Sequence, residues 1–246
     1  MSAKNIQNSV IFQHLVKKNF ASEAFLYQEV MGTVLAGMVG MSEQKVVLSS
    51  GCLMVEKVAG MTLSNLSEQM NDELKKITAQ KLAEKLKKVK ETFDKKKSVF
   101  KSSFGCLSFD HLIEINREKF LDVFDDPINL TEIEKMSERR DVNMTICHGD
   151  LNLSNIMLVG SELILIDFEH VTEAPMAFDL ACSLLFCDEK SLDLKSVKSA
   201  LFQMGILMPE RELVLMTKLY LVDQLRKADK EKEQQLIKLA RERKLI

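Results

Sequence analysis

His148-Gly149-Asp150-Leu151-Asn152-Leu153-Ser154-Asn155 reads as H-x-D-x-x-x-x-N, and Asp167 follows in the run Asp167-Phe168-Glu169. Between them lie Ile156-Met157-Leu158, a turn at Gly160-Ser161, and Leu163 to Ile166. Two short strands flanking that turn bring Asn155 and Asp167 together at one end, with Asp150 in the loop just before. Three oxygen ligands then meet where a hard cation and a triphosphate could sit. Mg²⁺ favours such chemistry, taking one or two protein oxygens together with phosphate oxygens and water. Phosphoryl transfer asks a protein for little beyond positioning and charge neutralisation. Asp150 is the candidate acceptor of the proton of an attacking hydroxyl. Asn155 and Asp167 are the candidate metal ligands, and His148 is the brace of the loop. An isolated His-x-Asp signals little, since Asp and Asn in loops mostly serve turns. The specificity lies in the octapeptide, the apolar strand and the Asp-Phe-Glu occurring together.

The elements that must carry these residues can be read from periodicity. Val10 to Val16 predicts a strand, and Ala21 to Leu35 a helix with Leu26, Val30 and Val34 on its apolar face. Lys45–Leu48 and Cys52–Val58 flank Ser49-Ser50-Gly51 and predict a hairpin. From Asn71 to about Lys97, Leu82, Leu86, Val89 and Phe93 share one face of an amphipathic helix with a solvated basic face. Phe104 to Arg140 predicts further helices, the last opened by a capping box at Thr131-Glu-Ile-Glu. Met144–Cys147 and Leu163–Asp167 predict strands, and the chain beyond Ser191 reads as helical. A small mixed part therefore precedes a larger helical one, with a crossover near residues 56–64 and a cleft between them as the natural ligand site.

The segment 148–169 resembles the catalytic and metal-binding loops of the protein-kinase-like superfamily. Within it, the branch of aminoglycoside phosphotransferases and choline/ethanolamine kinases is the most similar. That branch writes H-G-D where protein kinases write H-R-D, and D-F-E where they write D-F-G. Phe178-Asp179-Leu180-Ala181 resembles a further block of the branch, and Leu53 to Leu63 resembles its hinge. The resemblance implies an α+β, bilobal fold: a reduced N-lobe of antiparallel sheet and one helix over residues 1–57, and a mostly helical C-lobe over 58–246. It implies ATP and Mg²⁺ as cofactors, adenine hydrogen-bonded by the backbone at Glu56 and Val58, and Met157 and Ile166 as the floor of the adenine pocket. Ser22 to Met31 resembles the N-lobe helix, with Glu23 as partner of a phosphate-binding lysine.

Which lysine that is stays open in the sequence. Either Val10–Lys18 is the lysine strand with Lys17 as phosphate ligand, or Asn8 to Gln13 replaces a glycine turn and the lysine strand is missing. Lys17 and Lys18 could equally be solvated strand-end charges. The acceptor site departs from the branch as well. A quaternary ammonium needs an aromatic cage, and the chain has no Trp and only two Tyr. Phe186, Phe202 and Tyr220 could form a weaker cage, while Asp188, Glu189, Asp193, Glu169 and Glu173 are the carboxylates available to an amino sugar.

Composition narrows the alternatives. Lys+Arg 34 against Asp+Glu 36 gives a net charge of -2, without the basic excess of a nucleic-acid binder. No apolar run reaches the ~20 residues of a membrane span. The polar N-terminus shows no signal-peptide core, and five cysteines without a CxxC pair point to reduced thiols, so a cytoplasmic protein is expected. Cys147 reads as inert core. The expected activity is ATP- and Mg-dependent transfer of phosphate to a hydroxyl of a small polar or aminated metabolite. The alternative is a pseudokinase, a nucleotide-binding scaffold without turnover. A protein kinase fits poorly, because Glu173-Ala174-Pro175 lies too close to Asp167 to frame an activation segment. The oligomeric state is not encoded in these features.

Overall fold

Among the described residues, short β-branched and apolar segments between polar turns give three small antiparallel sheets. The computed structural model describes residues 15–18, 23–42, 44, 46–49, 52–103, 107–186 and 192–246. In the first sheet β1 (Leu15–Lys18), β3 (Cys52–Glu56) and β2 (Val46–Ser49) lie in the order β1-β3-β2. Strand β3 is therefore central, with Val16 opposite Val55 on one side and Val46 opposite Val55 on the other. The expected hairpin is present, with Ser49 paired to Cys52. The expected first strand starts later than its sequence suggests, at Leu15, and residues 10–14 lie outside the described residues.

Helix α1 (Glu23–Met38) links β1 to β2, and its buried face is not the one expected. Val34 is 44% exposed, whereas Glu29, Gly32, Thr33, Leu35 and Ala36 are buried. The helix is apolar nearly all round, so hydrophobic spacing cannot choose a face; close approach to the chain beneath it does. A Cβ on Gly32 would stand 1.9 Å from the carbonyl oxygen of Phe168.

The larger part is built on α3 (Asp72–Ser103), roughly 48 Å long at ~1.5 Å per residue. Its expected face of Leu82, Leu86, Val89 and Phe93 is buried in the core. Strand β4 (Met61–Thr62) and the one-turn α2 (Leu63–Leu66) lead into it, and α4 (Phe109–Phe124) and α5 (Pro127–Glu134) follow. Helix α5 corrects the expected capping box. Asp126 is its N-cap, accepting from the Asn129 amide at 2.9 Å, and Pro127 occupies the first turn where its missing N–H is harmless. Thr131 is inside the helix, its hydroxyl donating to the Pro127 carbonyl at 2.8 Å.

Strands β6 (Ile156–Val159) and β7 (Glu162–Leu165) form the expected hairpin, joined by β4 in the order β4-β6-β7. Strand β5 (Met144–Cys147) pairs with β8 (Thr172–Pro175), so Glu173-Ala174-Pro175 is sheet. Cys147 is fully buried, and burial pushes its thiol well above the usual range, which leaves it an inert core residue. Helices α6 (Ala177–Phe186), α7 (Leu194–Gln203), α8 (Glu210–Lys227) and α9 (Lys230–Glu242) complete the helical part. This is an α+β, kinase-like fold. No helix among the described residues is long and apolar enough to cross a membrane.

Candidate active site

The loop between β5 and β6 is fixed from below. The carboxylate of Asp179, at the start of α6, accepts the backbone amides of His148 and Gly149, both at 3.0 Å. Burial raises its pKa to about 7, while the two amides and Asp150 act as lesser opposing and reinforcing influences. Gly149 stands at φ 79°, and a Cβ there would lie 1.9 Å from the His170 carbonyl oxygen. Both the left-handed conformation and the close approach require glycine.

His148 is fully buried and does not open onto a ligand space. Its Nε2 lies 2.8 Å from the Ile166 carbonyl oxygen. A carbonyl only accepts, so Nε2 carries the proton. Burial lowers the imidazole pKa and keeps it neutral. The ring also packs on Phe168, centroids 5.1 Å apart. His148 thus ties the loop of Asp150 to the segment of Asp167.

Asp150 is held at both oxygens. Oδ1 accepts from the Tyr220 hydroxyl at 2.8 Å and lies 3.8 Å from the Cys182 thiol. Oδ2 accepts from Asn152 Nδ2 and Asn155 Nδ2, both at 3.0 Å. Asn155 Nδ2 also donates to the Asp150 carbonyl at 2.8 Å, which commits its nitrogen and leaves Oδ1 as its donor oxygen. The Ile166 amide donates to the Asn155 carbonyl at 3.0 Å, extending the β6–β7 ladder to the point where Asp167 begins. Asp167 adopts φ 70°, a strained conformation for a non-glycine residue. Its ligand oxygens lie within 4.8 Å of those of Glu29 and Glu169. Oxygen donors of this kind suit a hard divalent cation.

One cavity of about 240 Å³ is lined by Glu56 and Val58, by Met157, Ile166 and Asp167, and by Glu29. Five of the sequence-predicted residues therefore meet on one surface. Gln44 lines the same cavity and donates its amide to the Glu56 carbonyl at 3.1 Å. Lys17, Lys18 and Glu23 are all described in backbone only. By register Lys17 is opposite Met54, and Lys18 opposite Leu53. Alternation places Lys18 and Val16 on the ladder face shared by Leu53 and Val55, and Val55 lines the cavity. Lys17 falls on the other face. Sequence reasoning missed Glu29, whose signal is the polar-small run Glu29-x-x-Gly32-Thr33 inside an otherwise apolar helix. It also missed the role of Tyr220.

The expected acceptor groups disperse. Tyr220 is buried, packed edge-on against Phe178 at 5.5 Å and Phe186 at 5.9 Å, and Phe202 is 64% exposed, so the three rings form no open cage. Asp193 caps α7, accepting from the Lys195 amide. Asp188 and Glu189 lie outside the described residues.

Set beside known proteins, the chain falls in a definable class. Residues 35–237 match the family described as Ternary complex associated domain 9 (TCAD9), and the chain belongs to that family. A kinase-like protein of Caenorhabditis elegans, D1044.1, is 40% identical over 50 residues, 19% of this chain and 13% of that protein. The fold is that of aminoglycoside phosphotransferases and choline/ethanolamine kinases. The GDP complex of aminoglycoside 2'-phosphotransferase-IIIa superposes with a TM-score of 0.65 at 18% identity, covering 94% of this chain and 86% of that one. A choline/ethanolamine kinase family protein of Mesorhizobium loti gives 0.58 at 14% identity over 92% and 82%. The ethanolamine kinase of Plasmodium vivax gives 0.55 at 17% identity over 89% and 73%.

Proposed function

We propose that the protein is a small-molecule phosphotransferase, moving the γ-phosphoryl group of ATP to a hydroxyl of a small polar metabolite. The reading places the purine against Glu56 and Val58, over Met157 and Ile166, with residues 1–57 and 58–246 as the two lobes of the site. The observation that carries it is the hydrogen-bonded pair Asp150–Asn155 one ladder step from Asp167, which itself lines the cavity under the hinge.

In this mechanism the acceptor hydroxyl approaches Asp150 and gives it its proton as the new O–P bond forms. The bond from the γ-phosphorus to the bridging oxygen breaks, and ADP leaves with the electron pair. A carboxylate offers about four acceptor positions. Tyr220, Asn152 and Asn155 take three, and the acceptor hydroxyl takes an acceptor position on the partly exposed side of Asp150, away from the buried Cys182 thiol. Tyr220 keeps its proton, because burial and then Cys182 and Asp150 push its pKa up, so it remains a donor that orients Asp150. Asn155 Oδ1 and Asp167 would hold Mg²⁺, which when bound neutralises phosphate charge. Lys18 is the lysine assigned to the phosphates, with Glu29 as its carboxylate partner in place of Glu23.

The test is binding of Mg-ATP by calorimetry, followed by transfer of radiolabelled γ-phosphate across a panel of alcohols. Asp150→Asn should keep nucleotide affinity and lose about 10²-fold or more of the rate. Transfer unchanged by this substitution overturns the mechanism. Binding without transfer across the panel marks a nucleotide-binding scaffold instead.

A further inference from the structure

A cavity of about 570 Å³ lies beside the catalytic loop, lined by Gly149, Glu169 and His170, by the end of α8, and by Lys232 of α9. One face of α8 joins it to the reacting group. Tyr220 touches Asp150, and Asp223, Gln224 and Lys227 of the same face line the cavity. From Tyr220 to Lys227 the helix rises ~10 Å.

We infer that the phosphoryl acceptor carries an anionic group, phosphate or carboxylate, bound by Arg226, Lys227 and Lys232 at the end of this cavity away from Asp150. The inference rests on the phosphotransferase reading and adds the chemical class of the acceptor. It follows from an inventory of donors and acceptors. Asp223 is buried, 3% exposed, and both of its oxygens are taken: Oδ1 by Asn116 and Arg226, Oδ2 by Lys227 at 2.6 Å. Three of its roughly four acceptor positions are therefore filled, two of them by cations of α8.

The cations it holds are 37% and 30% exposed for Arg226 and Lys227. Arg226 has five N–H donors; Nε–H goes to Asn116 Oδ1 and one Nη2 proton to Asp223, which leaves three. Lys227 has three; one goes to Asp223 and one to His170 Nδ1 at 3.4 Å, which leaves one. Lys232 makes no ion pair among the described residues. The remaining carboxylate on the cavity wall, Glu169, pairs with His170 Nε2 at 3.3 Å and shares the cluster of Asp167 and Glu29. Three cationic side chains, Arg226, Lys227 and Lys232, thus face two carboxylates, Asp223 and Glu169, on the described wall, and the unused N–H donors are matched by a ligand that brings negative oxygens. The guanidinium fork matches phosphate and carboxylate oxygens in particular. Among the described residues of this wall an aminated acceptor would meet no open aromatic cage, and the one exposed carboxylate, Glu169, already pairs with His170.

A matched series on one hexose scaffold tests this: glucose 6-phosphate, glucuronate, glucose and glucosamine. Each is titrated calorimetrically into the full chain saturated with Mg·AMP-PNP, so that the nucleotide's own phosphate site is filled. At least one of the two anionic hexoses should bind about tenfold or more tighter than glucose and glucosamine, and which one it is separates phosphate from carboxylate. That preference should fall toward unity in Lys227→Gln and in Lys232→Gln. The second variant is on the exposed first turn of α9, so it keeps the test open if removing Lys227 from Asp223 unfolds the protein. Glucosamine binding as tightly as the anionic hexoses, no binding by either anionic hexose, or a preference unchanged in Lys232→Gln and any folded Lys227→Gln overturns the inference. A transfer assay on the same series separates the two levels. Transfer confined to glucosamine sinks the anionic acceptor and keeps the phosphotransferase. Anion binding that needs these lysines, with no transfer to any hexose, leaves the anion site standing and counts against the phosphotransferase.

Discussion

Two adjacent lysines end β1, and alternation lets only one share a ladder face with Val55, the β3 residue on the cavity wall. That residue is Lys18. A lysine bonded to phosphate oxygens is a charge-assisted contact worth about a tenfold or greater change in affinity. Lys18→Ala should therefore weaken Mg-ATP binding by about tenfold or more, and Lys17→Ala by no more than about threefold, both read by calorimetry. The reverse order would return the role to Lys17. The distinction is not available to a sequence reader, because a one-residue slip in register exchanges the two faces and register is set by pairing with β3. The residues that could be read directly are those in contiguous runs. His148, Asp150, Asn155 and Asp167 fall within one stretch of some twenty residues, with local bonds from Asn155 to Asp150 and from Ile166 to Asn155, whereas the partners that brace the loop from afar, Asp179 and Tyr220, lie 30 and 70 residues on.

At the scale of elements, the closeness of α1 to the Asp167 segment depends on one missing side chain. A Cβ at Gly32 would meet the Phe168 carbonyl, backbone against backbone, so neither side can give by rotating. Gly32→Ala should push α1 outward, lower stability by about 1–3 kcal/mol in urea unfolding, and weaken Mg-nucleotide binding by carrying Glu29 away from Asp167. Gly37 is the internal control. It is exposed on the same helix with nothing within 4 Å of its Cβ position, and Gly37→Ala should stabilise by about 0.5–1 kcal/mol. Equal effects at the two positions would refute the packing argument. The same contrast shows which elements the sequence reveals. Helix α3 is amphipathic, so Leu82, Leu86, Val89 and Phe93 declare its buried face. Helix α1 is apolar on most sides and turns its polar and small residues inward because the site lies there. Spacing alone therefore selected Leu26, Val30 and Val34, of which Val34 is exposed. The wall of the 570 Å³ cavity is hidden from the sequence for another reason: it draws on α4, the segment after Asp167, α8 and α9, which meet only once the chain is folded.

At the scale of the whole molecule, the buried carboxyls set how stability varies with pH. Asp179 and Glu212 are each raised to about 7, in both cases chiefly by burial; for Glu212, Arg139 opposes the shift and Asp141 adds to it. A folded pKa above the unfolded one means that the native state binds more protons across the interval, so stability falls as pH rises from about 4 to about 7. Asp223 works in the opposite sense. Burial would raise it, but Lys227, Asn116 and Arg226 outweigh burial and lower it, so its contribution is lost as pH drops below about 4. His148, held neutral by burial, also withdraws stability below its unfolded pKa of ~6.5. Glu212 permits a clean test, because it sits in the first turn of α8 and its buried Oε1 makes no hydrogen bond. Glu212→Gln mimics the protonated acid. At pH 4, where the carboxyl is mostly protonated in both the native and the unfolded state, the variant should melt at close to the same temperature as the parent. At pH 8, where the parent holds a buried charge, it should gain on the order of 1 kcal/mol, or about 2–4 °C in Tm for a chain of this size. A Tm difference that is the same at both pH values would mean that Glu212 titrates as an ordinary surface acid, and Asp179 alone would then carry the decline toward neutral pH.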